Sequence, residues 1–272
     1  MEIIRALQTI KNGFFDVFFV GCTLFGEELL LSAVFAVVFF AVDKKLGQKL
    51  GYALFSSACF NSVLKALVKR PRPVGEPWNK PMYTETATGY SFPSGHSQIS
   101  ATAYPILAGK IKRTWAWIVC GIVFFLVGVS RLYLGVHWPT DVLCGWIFGL
   151  AFSFGISFLF DKFGCKIGWG VLVFLPFLIF LRADGAFKST GMFAGFALSM
   201  FLEEKFVRFS VDGVPIGKRI LRVVCGLAIV AGLKFLLDWL IPAHNLLYFL
   251  KYFFIAFTGF FLFPLFFTKC RF

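Results

Sequence analysis

Val142-Leu-Cys-Gly-Trp-Ile-Phe-Gly-Leu-Ala-Phe-Ser-Phe-Gly-Ile-Ser-Phe-Leu-Phe160 contains no charged side chain, and Asp141 and Asp161-Lys162 close it at either end. Wound as a helix at ~1.5 Å per residue, such a run comes close to crossing the ~30 Å hydrocarbon core of a bilayer. Blocks of the same kind recur along the chain: Leu29–Val42, Leu50–Leu67, Gly95–Gly109, Trp115–Val129, Trp169–Leu181, Phe187–Leu202, Leu221–Leu240 and Leu247–Phe267. With Val142–Phe160 they predict nine spans and an all-α fold, a polytopic transmembrane helical bundle. Phe14–Phe25 either extends the first span or forms a short re-entrant or interfacial segment.

Composition agrees. The 272 residues are 58% hydrophobic, 19% aromatic and only 15% charged, with 39 Phe and a mean hydropathy of +0.80. A soluble domain is ~25% charged, with its apolar residues in periodic stripes. A water-soluble globule is therefore excluded. So is a disordered chain, because there is too much apolar surface to leave unburied. The seven Cys include no Cys-x-x-Cys pair, and Cys59, Cys120, Cys144 and Cys225 lie inside apolar runs. They read as small hydrophobes rather than as a disulfide frame or a zinc site. Met1–Asn12 spaces Ile3, Ile4, Leu7 and Ile10 as an amphipathic interfacial helix. No small-residue cleavage site follows it, so the segment is expected to be retained.

The charge of +13 comes from 27 Lys+Arg against 14 Asp+Glu. In a soluble chain this would raise nucleic-acid binding; in a membrane chain the cations belong to cytoplasmic loops and anionic lipid, and no nucleic acid is expected. Asp43–Lys49, Lys110–Arg113, Asp161–Lys166, Glu203–Arg219 and the tail from Lys269 to Arg271 are all rich in Lys and Arg. The positive-inside rule puts them on the cytoplasmic side. The segment Lys69–Pro93 falls on the other face yet carries Lys69, Arg70, Arg72 and Lys80, so its cations need a different explanation.

Three stretches supply one: Lys65-Ala-Leu-Val-Lys-Arg-Pro-Arg72-Pro73, Pro93-Ser94-Gly95-His96, and Ser130-Arg131-Leu-Tyr-Leu-Gly-Val-His137-Trp-Pro-Thr-Asp141. Each lies where a span meets the non-cytoplasmic face. Taken singly they have ordinary readings: a Lys that snorkels to the headgroups, a basic lipid-contacting turn, a helix start, a structural His–Asp pair. Three in order on one face are far more specific. They read K-x6-R-P, P-S-G-H and S-R-x5-H-x3-D. In this pattern the chain resembles the type 2 phosphatidic acid phosphatase (PAP2) superfamily over roughly Asp43–Asp161. That superfamily includes lipid phosphate phosphatases, undecaprenyl pyrophosphate phosphatases, glucose-6-phosphatase and vanadium haloperoxidases.

The residue types suit phosphoryl chemistry. A phosphoryl group in transfer spreads negative charge over three equatorial oxygens, which fixed cations and N–H donors must meet. Lys65, Arg72 and Arg131 are the cations, and the planar guanidinium can hold two oxygens at once. Ser94 and Gly95 open a helix whose free N–H groups form an oxyanion cradle. His137 and Asp141, four apart after Pro139, share a helix face, so the carboxylate can fix the imidazole tautomer. The resemblance implies that His137 is the nucleophile and forms a phosphohistidine, that Asp141 orients it, and that His96 protonates the leaving oxygen and then activates water. No Asp/Glu cluster accompanies these groups, so neither metal nor cofactor is expected.

The resemblance further implies a six-helix catalytic core, residues 1–166, followed by additional C-terminal helices, residues 167–272, of no assigned role. The expected activity is hydrolysis of a lipid phosphate monoester or pyrophosphate by an integral protein of a bacterial inner membrane, acting on its non-cytoplasmic face. The expected partners are the membrane lipid substrate and the bilayer; the sequence does not fix the oligomeric state. The rivals are a phosphotransferase, a phosphatase for a soluble sugar phosphate, a non-enzymatic lipid transporter and, least favoured, a vanadate-using peroxidase. Tyr90 and Tyr133 are expected to line the pocket, and Trp78, Tyr83 and Trp138 to form an interfacial belt. His244 reads as a surface residue, Lys234 and Asp238 as a neutralising pair, Glu27-Glu28 as the outer edge of the first span, and Gly191-x-x-x-Gly195 as a close helix contact.

Overall fold

A computed structural model describes residues 1–242 and 244–270, and all regular structure among them is helical. The helices are α1 (Glu2–Thr9), α2 (Gly13–Leu24), α3 (Glu28–Val37), α4 (Lys44–Val68), α5 (Gly95–Ile111), α6 (Thr114–Tyr133), α7 (Pro139–Phe163), α8 (Leu175–Leu181), α9 (Asp184–Leu202), α10 (Ile216–Leu240), α11 (Asn245–Phe257) and α12 (Phe263–Lys269). Wider π turns extend α3 over Val38–Val42, α9 over Glu203–Val207 and α11 over Thr258–Leu262, joining α11 to α12.

Five helical stretches among the described residues are long and apolar enough to cross a membrane, or six if the α2–α3 pair is one span bent by 46°. Gly95–Gly109, Phe187–Leu202 and Trp169–Leu181, three of the nine expected spans, do not stand among them as separate stretches. Trp169–Leu181 is not a separate span, because it continues the helical stretch that begins at Pro139, through a 3-10 run (Gly164–Val173) into the short α8. Two others, α5 and α9, bury Ser97, Gln98, Ser100 and Thr102, and Thr190 and Ser199, against neighbouring helices. Helices shielded by protein need less apolar surface than helices facing lipid. At the opposite extreme, Leu29, Phe180, Phe235 and Trp239 are each about 80% exposed or more, as lipid-facing side chains would be. At the α2–α3 bend the amides of Phe25, Gly26 and Glu27 each bond three residues back, and normal helical bonding resumes with Leu31 N–H to Glu27 O at 3.1 Å.

The chain forms two compact units, neither continuous in sequence. The first is Met1–Leu31 with Phe60–Gly155. In it α6 packs on α2 and α5, and Phe19 stacks on Tyr133 at 4.2 Å. Helix α7 approaches α5 closely, since a Cβ at Gly149 would lie 2.4 Å from Gln98 O. The N-terminal segment forms α1, with Ile4 buried; Gln8 bonds Asn79 Oδ1 at 2.9 Å and Arg5 lies over Trp78.

The second unit is Ser32–Cys59 with Ile156–Phe272, of which 243, 271 and 272 are outside the described residues. In it Phe35, Phe39 and Phe40 pack against Phe196, Phe209, Phe260 and Phe263. Tyr52 donates to Cys165 O at 3.1 Å, and Lys44 pairs with the fully buried Glu203 at 2.6 Å. Gly191 and Gly195 bring α9 onto α11: a Cβ at either would lie 2.3 Å from the carbonyl oxygen of Phe249 or Phe253. That small-residue pair thus serves packing within the chain. Of the cysteines singled out above, Cys59 is buried, whereas Cys120, Cys144 and Cys225 are partly exposed.

Candidate active site

All eight predicted site residues belong to the first unit. Lys65 stands in the last turn of α4 and donates to Tyr90 O at 2.6 Å. Beyond α4, Pro71 and Pro73 bracket Arg72, whose backbone is extended. Its guanidinium spreads over the site: Nε donates to Gly89 O (3.0 Å), Nη2 to Thr88 O (2.8 Å) and Nη1 to Val136 O (3.0 Å), and Nη1 lies 2.9 Å from His137 Nε2. Burial lowers the Arg72 pKa to about 10, which leaves it charged at neutral pH.

Asn79 ties this segment to the α6–α7 turn, its Nδ2 donating at 2.7 Å to both Pro73 O and Gly135 O. Gly135 has φ +68, and a Cβ there would lie 2.2 Å from Asn79 Oδ1, so both conformation and space require glycine.

The second motif opens α5. Ser94 is its N-cap, fully buried, accepting from Ser97 N–H (3.4 Å) and Ser97 Oγ (2.9 Å). Its own N–H donates to Asp141 O at 3.0 Å, which joins the second motif to the third. A Cβ at Gly95 would meet nothing nearer than Asn61 Oδ1 at 3.8 Å. The glycine is thus not imposed by packing, and it leaves open space beside the first-turn N–H groups.

Arg131, in the last turn of α6, has no exposed surface. Its Nη1 donates to Thr23 Oγ1 at 2.8 Å, while Nε and Nη2 are buried without a hydrogen-bond partner among the described residues. A buried guanidinium with orphaned donors is costly unless an anion meets it.

His137 is 2% exposed. Its Nδ1 lies 3.4 Å from Asp141 Oδ2, one helical turn on. Because arginine can only donate, the 2.9 Å contact from Arg72 places a lone pair on Nε2 and the proton on Nδ1. Burial, then the charges of Arg72, Arg131, Lys65 and His96, push the His137 pKa well below the ordinary histidine value.

Asp141 is itself fully buried. It accepts from Trp138 N–H at 2.8 Å, from the Ser91 hydroxyl and from Arg70 at 3.0 Å. Arg70 also reaches Thr140 Oγ1 at 2.6 Å and lies over the Trp138 ring.

His96 Nε2 lies 3.0 Å from Glu27 Oε1, and a Cβ at Gly26 would come within 3.2 Å of the His96 backbone. Glu27 is therefore turned towards the site, not merely an edge marker of the first span. Ser91, Arg70, Thr23 and Glu27 were missed by the motif reading. Arg70 stood inside the quoted Lys-Arg-Pro-Arg run, whereas nothing in the spacing of the other three pointed to the site. Tyr133 does not line the pocket: its ring stacks on Phe19 and its hydroxyl donates to Asp16 Oδ1 at 2.6 Å. Tyr90 is exposed and contributes its carbonyl.

Comparison with known proteins identifies the family. The family model of the PAP2 superfamily matches residues 47–165, and that of the PAP2 superfamily phosphatase transmembrane extension matches residues 187–272. The chain is 36% identical over 130 residues to an undecaprenyl-diphosphatase of Sulfolobus acidocaldarius, which covers 47% of the chain and 52% of that relative. The chain thus spans about half the length of this relative. It is 31% identical over 174 residues to phosphatidylglycerophosphatase B of Bacillus subtilis, 59% of the chain and 82% of the relative. The crystal structure of a transmembrane PAP2 type phosphatidylglycerolphosphate phosphatase from Bacillus subtilis superposes with a TM-score of 0.52 at 30% identity, over 60% of the chain and 84% of that structure.

Proposed function

Because the chain belongs to the PAP2 superfamily, we propose that it hydrolyses a phosphate monoester or pyrophosphate on a membrane lipid through a phosphohistidine at His137. The observation that carries this reading is the state of His137: Nδ1 backed by Asp141, Nε2 bearing a lone pair among three cations. Nε2 attacks phosphorus as the bond to the leaving oxygen breaks. His96 gives that oxygen its proton, then takes one from water, whose oxygen displaces His137 and releases inorganic phosphate. Lys65, Arg72 and Arg131 balance the charge of the five-coordinate state, together with the first N–H groups of α5. Side chains supply all of this positive charge, so EDTA is expected to leave the rate unchanged and vanadate to inhibit.

The lipid reading is supported by the membrane spans and by the named substrates of the two relatives, an isoprenyl diphosphate and phosphatidylglycerophosphate. The Lys/Arg-rich connections support a site on the non-cytoplasmic side. The test is a panel of purified lipid phosphates scored for free phosphate. Release without an added acceptor alcohol supports a hydrolase over a phosphotransferase, and competition between lipid and sugar phosphates in detergent separates the soluble-substrate alternative.

The pH profile follows from His137. It reacts only when neutral, and its lowered pKa keeps it neutral well below pH 6.5. The acid limb of kcat/KM is therefore expected below 6.5, with the alkaline limb set by deprotonation of His96. An acid limb at or above 6.5 would contradict this assignment.

Glu27 supplies a further test. Burial lowers the His96 pKa, and the Glu27 carboxylate opposes that shift, favouring the protonated form that donates to the leaving group. Glu27→Gln is expected to move the alkaline limb to lower pH and to slow lipid phosphate hydrolysis by about tenfold or more. An aryl phosphate, whose leaving group needs little protonation, should lose much less. Equal losses on both substrates would mean that Glu27 acts only on the fold.

A further inference from the structure

The second unit holds a cluster of charges that shares no residue with the candidate active site. A cavity of about 320 Å³ is bounded by the end of α10, the start of α11 and the start of α9, with Lys188, Lys234, Lys251, Asp238, Tyr248 and Tyr252 in its wall. Three ammonium groups thus face one carboxylate. Lys251, only 2% exposed, takes Asp238 Oδ1 at 2.9 Å, and Lys234 takes Oδ2 at 2.8 Å. Both carboxylate oxygens are then engaged. Lys188 has its Nζ 4.3 Å from the centre of the Tyr248 ring, and Lys251 approaches the same ring at 5.5 Å. Asp238 thus balances one of the three positive charges. The pairing of Lys234 with Asp238 foreseen from the sequence is present, but it belongs to this larger group.

Gathering three like charges around one cavity is unfavourable unless an anion enters it. Lysine ammonium groups are compact donors that suit a phosphate group. The location indicates where that phosphate comes from. The stretches Ile216–Leu240 and Asn245–Lys269 are both long and apolar enough to span a membrane, and the cavity lies where the first ends and the second begins. Tyr248 and Tyr252, one turn apart on α11, have the amphipathic rings typical of headgroup depth.

We propose that this cavity binds a phosphate group, presented by an anionic lipid headgroup, as a recognition site belonging to the C-terminal helices. Lys188 and Lys234 contact the phosphate oxygens. Lys251 and Asp238 hold the wall of the site, and the Tyr248 ring orients Lys188.

The test uses the full chain in nanodiscs of phosphatidylcholine with or without phosphatidylglycerol. Bound lipid is read by native mass spectrometry after transfer to detergent. The wild type is expected to retain phosphatidylglycerol over phosphatidylcholine, and Lys188→Gln to weaken that retention about fivefold, with Lys188→Gln/Lys234→Gln weakening it further. Lys251 is too buried to serve as the test residue. Lys188→Gln removes one ring contact and, among the described residues, no ion pair, so an unchanged melting temperature shows that the fold persists. Addition of inorganic phosphate separates the sources: displacement of the lipid supports recognition of the phosphate alone, and retention supports recognition of the whole headgroup. Equal retention of both lipids by the wild type, or undiminished phosphatidylglycerol retention by the double variant, would overturn the proposal.

Discussion

His137→Ala is expected to reduce phosphate release from a lipid phosphate by about 10⁴-fold or more. The variant keeps the three cations and the start of α5, so it still binds the phosphate, but no atom remains to form the covalent bond. It should also fold. Asp141, the buried partner of His137, keeps the Trp138 N–H, the Ser91 hydroxyl and Arg70. The loss should therefore fall on kcat, with the melting temperature little changed. With radiolabelled substrate and an alkaline quench, the wild type should yield a labelled protein and His137→Ala none. Retained turnover in the variant would refute the phosphohistidine, and a transport or lipid-binding activity indifferent to the substitution would favour a non-enzyme.

Arg131→Met should have the second-largest effect and should separate activity from stability. The guanidinium is fully buried, bonded at one nitrogen to Thr23 and orphaned at the other two. Methionine fills a similar volume with no charge to desolvate, and the Thr23 hydroxyl can turn back to its own helix. Replacing an uncompensated buried charge by an apolar side chain is neutral or stabilising. The melting temperature should therefore hold or rise, while kcat/KM falls by about 10²- to 10³-fold. Vanadate should raise the melting temperature of the wild type and not that of the variant. A variant that melts lower and keeps its rate would show Arg131 to be structural.

Much of this site could be read from the chain because its parts lie within short stretches. His137 and Asp141 are one helical turn apart, and Lys65 and Arg72 flank a single helix end. What the sequence concealed are contacts closed by tertiary structure. Glu27 meets His96 from the bend between α2 and α3, and Ser91 reaches Asp141 across 50 positions. No periodicity in the chain encodes either pairing. The number of apolar stretches differs from the nine expected for a related reason. Hydropathy registers how apolar a segment is, not whether lipid or protein surrounds it. The run through α8 was counted twice for its Phe and Leu content, while α5 and α9 hide polar side chains against their neighbours.

The three tightened hydrogen bonds at Phe25–Glu27 fix the angular phase of the first membrane segment. Thr23 and Glu27, on either side of that tightening, serve Arg131 and His96 respectively. One residue inserted or deleted after Thr23 would swing Glu27 by about 100° around the helix axis and carry its carboxylate off His96. The greasiness of the segment would scarcely change, and neither would its ability to insert. Its length behaves as a ruler between two functional groups, so an indel there should be silenced far more readily than most apolar substitutions.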